Sequence, residues 1–193
     1  PGWHIEDTAI TEKFFGPQYD IHGGAIDLLF PHHEAEVSQM ETISGKKPFV
    51  KYWMHTGLLT VNGQKMGKSL NNFIIIDDFL KRYNYRYLRF MMIKNLWKSP
   101  LDYSEPTMFE VKSSLEKIEE FAYKIKTIKN EHSKISKQSS NLNNLILKAE
   151  LNFYKNLADD FNTPKALAEV FNLIKTVNKF LDKNKISSVE VDK

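Results

Sequence analysis

After residue 109 the chain contains no glycine, whereas all eight of its glycines fall before that point. Glycine supplies left-handed turns and close backbone approaches, so a long stretch without it suits extended helices and scarcely suits tight hairpins. The glycine-bearing part also holds five of the six histidines and all three tryptophans. Two kinds of structure are therefore expected in these 193 residues, and an apolar content of 41% is enough to give each a core.

The glycine-free part reads as a helical bundle. Leu115, Ile118, Phe121, Ala122, Ile125 and Ile128 recur at helical spacing, with Ser104, Glu105 and Pro106 supplying the N-cap and first turn. Leu142, Leu145, Ile146, Ala149, Phe153 and Leu157 mark a second helix. Thr163 as N-cap and Pro164 at the first helical position start a third, faced by Leu167, Val170, Leu173, Ile174, Val177, Phe180 and Leu181. Residues 130–141 read as a mobile connector, and the tail after about residue 185 has little to bury.

The first part reads as mixed α/β. Tyr19-Asp20-Ile21 is strand-like and runs into a glycine pair, Gly23-Gly24. Pro31 suits a first helical turn, which predicts a helix over residues 31–43 ending at Gly45. Leu58-Leu59-Thr60-Val61 reads as a strand and Asn62-Gly63 as a tight turn. Asp77 is an N-cap candidate for one amphipathic segment carrying Phe79, Leu80, Tyr83, Leu88, Phe90 and Met91. The fold class expected is thus α/β plus all-α.

Charge and composition exclude several functions. The net charge is +3, with fifteen lysines against twelve acids in residues 110–193 and balance before them, which is too little for a protein that coats polyanions. The absence of cysteine excludes a disulfide scaffold and any cysteine zinc finger in this stretch, and fits a reducing cytoplasm. No apolar run approaches the roughly 18 residues of a membrane span, and no signal peptide opens the chain. It begins Pro1-Gly2-Trp3 rather than with methionine, so a piece of a longer protein is expected.

Three stretches could carry chemistry. In Pro31-His32-His33-Glu34-Ala35-Glu36, His32 and Glu36 stand four apart and would share a helix face, within reach of one metal ion. The same residues also suit a helix start with acids at its positive end and a hydrogen-bonded core histidine. In His22-Gly23-Gly24-Ala25-Ile26-Asp27, backbone amides could face phosphates while Asp27 accepts from ribose hydroxyls, or Asp27 could simply cap a turn. In Gln64-Lys65-Met66-Gly67-Lys68-Ser69, two lysines three apart can fold around a polyphosphate, although a solvated basic loop looks the same. The frame of a Walker A loop is missing.

In this order the three stretches resemble the class I aminoacyl-tRNA synthetases, the lysine loop being similar to their KMSKS signature with Gly67 in place of the first serine. Trp3-His4-Ile5-Glu6, Asp20-Ile21-His22-Gly23-Gly24 with Asp27, and Phe30-Pro31-His32-His33-Glu34 with Glu36 resemble the cysteinyl-tRNA synthetases specifically. Tyr52-Trp53-Met54-His55, Ser69-Leu70-Asn71-Asn72-Phe73, Leu101-Asp102-Tyr103-Ser104-Glu105 and Asp160-Phe161-Asn162-Thr163-Pro164 extend the likeness to about residue 180.

The resemblance implies the C-terminal half of a Rossmann-type catalytic domain over residues 1–76 and a connector over 77–109. A helical tRNA-contacting domain over 110–185 and a flexible tail over 186–193 follow. It implies an ATP-dependent ligation of cysteine to tRNA through cysteinyl-adenylate, in a monomeric cytoplasmic enzyme away from membranes, with Mg²⁺ accompanying ATP. Lys65 and Lys68 would be catalytic, stabilising the departing pyrophosphate. Gly23, Gly24, Asp27, Lys68 and Ser69 would bind ATP and the adenylate, and Trp3, His22 and His33 would line the amino-acid pocket. Asp7, His32 and Glu36 fall at family zinc-ligand positions, but Asp7 stands where the family has cysteine. An oxygen donor can reach zinc at about 2.0–2.2 Å, although a harder site favours other ions. A weakened or absent zinc site, with the three residues hydrogen-bonded to one another, is the expectation. Two other functions remain open from sequence: a cysteine:glucosaminyl-inositol ligase of mycothiol synthesis, and a non-catalytic RNA-binding module on a synthetase scaffold.

Overall fold

The computed structural model describes residues 2–129 and 139–182. The expected tail and all of the expected connector but its last three residues lie outside the described residues. So does the side chain of Ile128. Two compact units are present, residues 1–60 with 98–101, and residues 61–97 with 102–193.

The first unit is built on a strand–helix–strand motif. Helix α1 (His4–Phe15) stops at Gly16, whose φ of 79° is open to glycine. Strand β1 (Tyr19–Ala25) pairs in parallel with β2 (Val50–Thr56), with Tyr19 opposite Val50, His22 opposite Trp53 and Gly24 opposite His55. A parallel pair needs a crossover, and α2 (Glu34–Ser44) provides it. Met40, Phe49 and Val50 are buried together, with Tyr19, Val37 and Trp53 packed around them. The buried Thr8 hydroxyl donates to Gln39 Oε1 at 2.9 Å, tying α1 to α2.

The second unit is mostly helical. Residues 59–65 and 101–103, divided between the two ranges above, form a three-stranded sheet in the order β4 (Gln64–Lys65), β3 (Leu59–Val61), β5 (Leu101–Tyr103), turned by Asn62 and Gly63, both at positive φ, as their residue types foretell. Helices α3 (Ile76–Arg82) and α4 (Tyr85–Ile93) precede β5. The long α5 (Glu105–Lys129), α6 (Ser139–Ala158) and α7 (Thr163–Asp182) follow it. Leu142, Val177 and Leu181 form one core, covered by Phe121, Ile125, Ile146, Leu173 and Phe180. Phe90 and Met91 on α4, and Met108, Val111 and Leu115 on α5, are buried as well.

The α/β plus all-α class stands, while several element ends differ from expectation. The helix expected from residue 31 starts at Glu34, because Phe30 is extended (φ −137°, ψ 133°), the conformation a following proline favours, and residues 29–33 form a turn of their own. Its end at Gly45, with φ 69°, is as expected. Gly23 and Gly24 lie inside β1 rather than beyond it. Asp77 sits in the first turn of α3, since the extended residue before that helix is Ile75. The single amphipathic segment breaks at Tyr83, and Asn84 restarts it by accepting from the Arg86 amide at 2.9 Å. The cap of α7 is Asn162, whose side chain accepts from the Lys165 amide at 3.3 Å, while the Thr163 hydroxyl donates to the Asn95 carbonyl. The last three residues of the expected connector, 139–141, open α6.

A methyl group on Gly57 would sit 2.1 Å from the Ser99 carbonyl oxygen, an overlap that only backbone movement relieves. Gly57→Ala is therefore expected to lower stability by at least about 1–3 kcal/mol in urea unfolding. Gly67→Ala, whose Cβ would meet only Ser69 Oγ at an ordinary 3.9 Å, should stay within about 0.5 kcal/mol of the parent. Equal stabilities would contradict the packing of residues 98–101 on Gly57.

Candidate active site

The first unit gathers polar side chains around one carboxylate. Glu36 projects from the first turn of α2 and is 0% exposed. Its Oε1 is 2.9 Å from His32 Nε2, and its Oε2 is 3.7 Å from His22 Nδ1. Neither contact has hydrogen-bond alignment, so both buried oxygens lack a donor. His32 Nε2 also lies 3.1 Å from Asp7 Oδ2, and its Nδ1 is 2.6 Å from His4 Nδ1. The expected triad of Asp7, His32 and Glu36 is thus assembled, since α1 carries Asp7 against the entrance to α2. It is an array of ion-pair distances rather than a closed set of hydrogen bonds.

Glu36 is also close to His22 and His33. Their rings meet edge-on at 4.7 Å, and Trp53 stacks on His22 at 4.8 Å. His33 Nδ1 is 2.8 Å from His55 Nε2, and the Tyr19 hydroxyl is hydrogen-bonded to His22 Nδ1. Trp3 stacks on His32 at 3.6 Å. Burial and the neighbouring imidazoles push His33 down to about 4. Burial likewise lowers His22. These rings are therefore neutral near pH 7 and keep a lone pair. Burial, with Asp7 adding, raises Glu36 to about 7, and burial together with Glu36 raises Tyr19 to about 12.

The glycine pair has a role that spacing did not disclose. A Cβ on Gly24 would lie 2.7 Å from His33 Cε1, so the missing side chain makes room for that imidazole. Gly23 has no such neighbour, its nearest atom being the Met54 carbonyl oxygen at 3.7 Å. Asp27 is exposed, in a turn over Ile26–Leu28.

The buried, donorless oxygens of Glu36 beside imidazole nitrogens fit a divalent cation, which would neutralise the carboxylate. Among the described residues, two groups have ligand atoms within 4.8 Å of one another: Asp7, His32 and Glu36, and His22, His33 and Glu36. The donors are nitrogen and oxygen only, since the chain has no cysteine.

The lysine loop belongs to the second unit. Lys65 closes β4, and Lys68 and Ser69 occupy a short turn over Lys68–Leu70 that ends at Asn71, with φ 52°. All three are exposed. Asn72 shapes this loop, which the sequence reading did not single out. Its Oδ1 accepts from the Gly67 amide at 2.9 Å and its Nδ2 donates to the Lys65 carbonyl at 3.1 Å. The Lys68 ammonium lies over the Phe73 ring, 5.7 Å from its centre. Gly67 is extended (φ −164°), a conformation any residue adopts, so its departure from the signature serine carries no backbone reason.

Gly24→Ala is expected to lower stability by about 1–3 kcal/mol and to shift the His33 imidazole resonances in NMR spectra. Gly23→Ala should leave those resonances in place. Unchanged His33 signals in Gly24→Ala would contradict the close approach.

Known proteins resemble the chain in sequence and in fold. Residues 1–113 match the family described as tRNA synthetases class I (C) catalytic domain, and residues 152–193 match the DALR domain. A cysteine–tRNA ligase of Methanococcus maripaludis is 46% identical over 191 residues, covering 97% of this chain and 40% of that protein. The corresponding ligase of Fusobacterium nucleatum is 40% identical, covering 97% of this chain and 39% of that protein. That of Aquifex aeolicus is 42% identical, at 95% and 37%. The chain thus spans about two fifths of the length of these curated relatives. Among solved structures, the LeuRS chain of an Agrobacterium radiobacter ternary complex with tRNA and LeuAMS superposes with a TM-score of 0.67 at 14% identity. It covers 89% of this chain and 24% of that one, and it supports the fold. The match over residues 1–113 takes in more than half of the chain, which belongs to the class I (C) tRNA synthetase catalytic-domain family.

Proposed function

We propose that the protein joins cysteine to tRNA in two steps. The cysteine carboxylate attacks the α-phosphorus of ATP, forming cysteinyl-adenylate as the bond to pyrophosphate breaks. A terminal ribose hydroxyl of tRNA then attacks the adenylate carbonyl, and AMP leaves. The observation that carries this reading is the alignment of nearly the whole chain with relatives named cysteine–tRNA ligase at 40–47% identity. Both steps need positioning and charge neutralisation more than a protein nucleophile.

The residues divide the work as follows. Lys65 and Lys68 neutralise the charge that grows on the pyrophosphate oxygens, and Asn72 keeps the turn between them in shape. Gly23, Gly24 and Asp27 receive the adenosine side, with Ser69 on the phosphate side, and Mg²⁺ travels with ATP. Trp3, His22 and His33 line the amino-acid pocket, with Trp53 and His55 backing the two imidazoles. Asp7, His32 and Glu36 would hold a zinc ion, whose chemistry is to favour a thiol over a hydroxyl. Packing alone separates such near-isosteres by only about 1–3 kcal/mol.

In this reading residues 1–76 are the catalytic half-domain, 77–109 a connector, 110–185 the tRNA-contacting helices and 186–193 a tail. The enzyme works as a cytoplasmic monomer. No helix among the described residues is long and apolar enough to cross a membrane.

Cysteine-dependent exchange between ATP and pyrophosphate, measured on the full-length protein, tests the reading. Lys68→Ala is expected to slow exchange by about 100-fold, the usual cost of removing one donor from a developing oxyanion. Absence of exchange in the parent, or an unaltered rate in Lys68→Ala, would overturn it.

A further inference from the structure

We propose that His22, His33 and Glu36 form a second divalent-cation position, which shares the Glu36 carboxylate with the group of Asp7, His32 and Glu36. It takes up side chains that the proposed function assigns to the amino-acid pocket, but its test reads metal binding alone and so stands apart from the ligase assay.

Three observations converge on it. The ligand atoms of His22, His33 and Glu36 lie within 4.8 Å of one another, so a modest contraction brings all three onto one ion. Oε2 is buried, the Glu36 side chain is only 1% exposed, and no protein group donates a hydrogen bond to this oxygen. Both imidazoles are held in place, His22 by stacking on Trp53 and His33 by its 2.8 Å contact with His55. A ligating histidine commonly has its other nitrogen and its ring plane fixed by such partners.

Glu36 is the residue the two groups share. Its Oε1 turns to His32 and its Oε2 to His22, which is the disposition of a carboxylate able to serve an ion in either group. Two imidazoles and a carboxylate suit zinc, cobalt or iron in the divalent state better than calcium or magnesium. The Tyr19 hydroxyl is the competitor. It contacts the same His22 Nδ1 that faces Oε2, so an entering ion displaces it.

Titration of the purified protein with Co²⁺, followed by its visible d–d absorption, tests the site. Asp7→Asn, which disables the other group, should retain one Co²⁺ equivalent with a visible band. Adding His22→Gln or His33→Gln to it should weaken that binding at least tenfold. Tyr19→Phe should bind Co²⁺ at least as tightly as the parent. Far-UV circular dichroism of each variant confirms that helix content is kept, and the two histidine variants check one another. Loss of all Co²⁺ in Asp7→Asn, double variants that bind like Asp7→Asn, or weaker binding in Tyr19→Phe would overturn the proposal. Failure of pyrophosphate exchange would leave these outcomes untouched.

Discussion

A carboxylate buried without a hydrogen-bond donor is the constraint around which the first unit is arranged. Removing a charge from water costs several kcal/mol, and ordinary proteins recover it with aligned donors. Glu36 has two imidazole groups at ion-pair distance instead, and none aligned. Its acidity is weakened by burial and by Asp7. The parts nearby serve that placement. The crossover helix carries Glu36 inward, Gly24 gives up its side chain to His33, and β2 supplies Trp53 and His55 as backing. A residue so costly to bury is more economically explained by a cation than by packing.

Much of this was visible in the sequence because it is local. His32 and Glu36 are four residues apart, and the turn before α2 leaves that relation intact. The asymmetric placement of glycine separated the mixed unit from the helices, and the repeats on α5, α6 and α7 identify residues such as Leu142, Val177 and Leu181 that do form a core. Asn62-Gly63 announced its turn through the backbone angles those residues tolerate.

What escaped is non-local. Pairing His22 with Trp53 and Gly24 with His55 depends on the register of two strands some thirty residues apart, and a short strand can slip by one residue without altering composition. The stacking of Trp3 on His32 joins residues nearly thirty positions apart, which spacing along the chain does not reveal. The caps shifted for a simpler reason. Asp77, Asn84, Asn162 and Thr163 all have capping side chains, and which of them caps depends on partners elsewhere, such as the Asn95 carbonyl that engages Thr163. Asn72 was quoted within a motif, but its bonds to Gly67 and Lys65 follow from a loop path that no propensity describes.

The account turns on Glu36 being buried as a cation ligand, and thermal unfolding of Glu36→Gln with and without metal examines that most directly. The amide has the same shape without the charge. In chelator at pH 8, above the raised Glu36 range of about 7, the variant should melt at or above the parent, because an uncompensated buried charge is gone. With added Zn²⁺ the parent should rise in melting temperature by linkage, while the variant should gain little. A variant that melts well below the parent in chelator, with neither protein responding to Zn²⁺, would show that the imidazoles alone satisfy the carboxylate and would contradict the account.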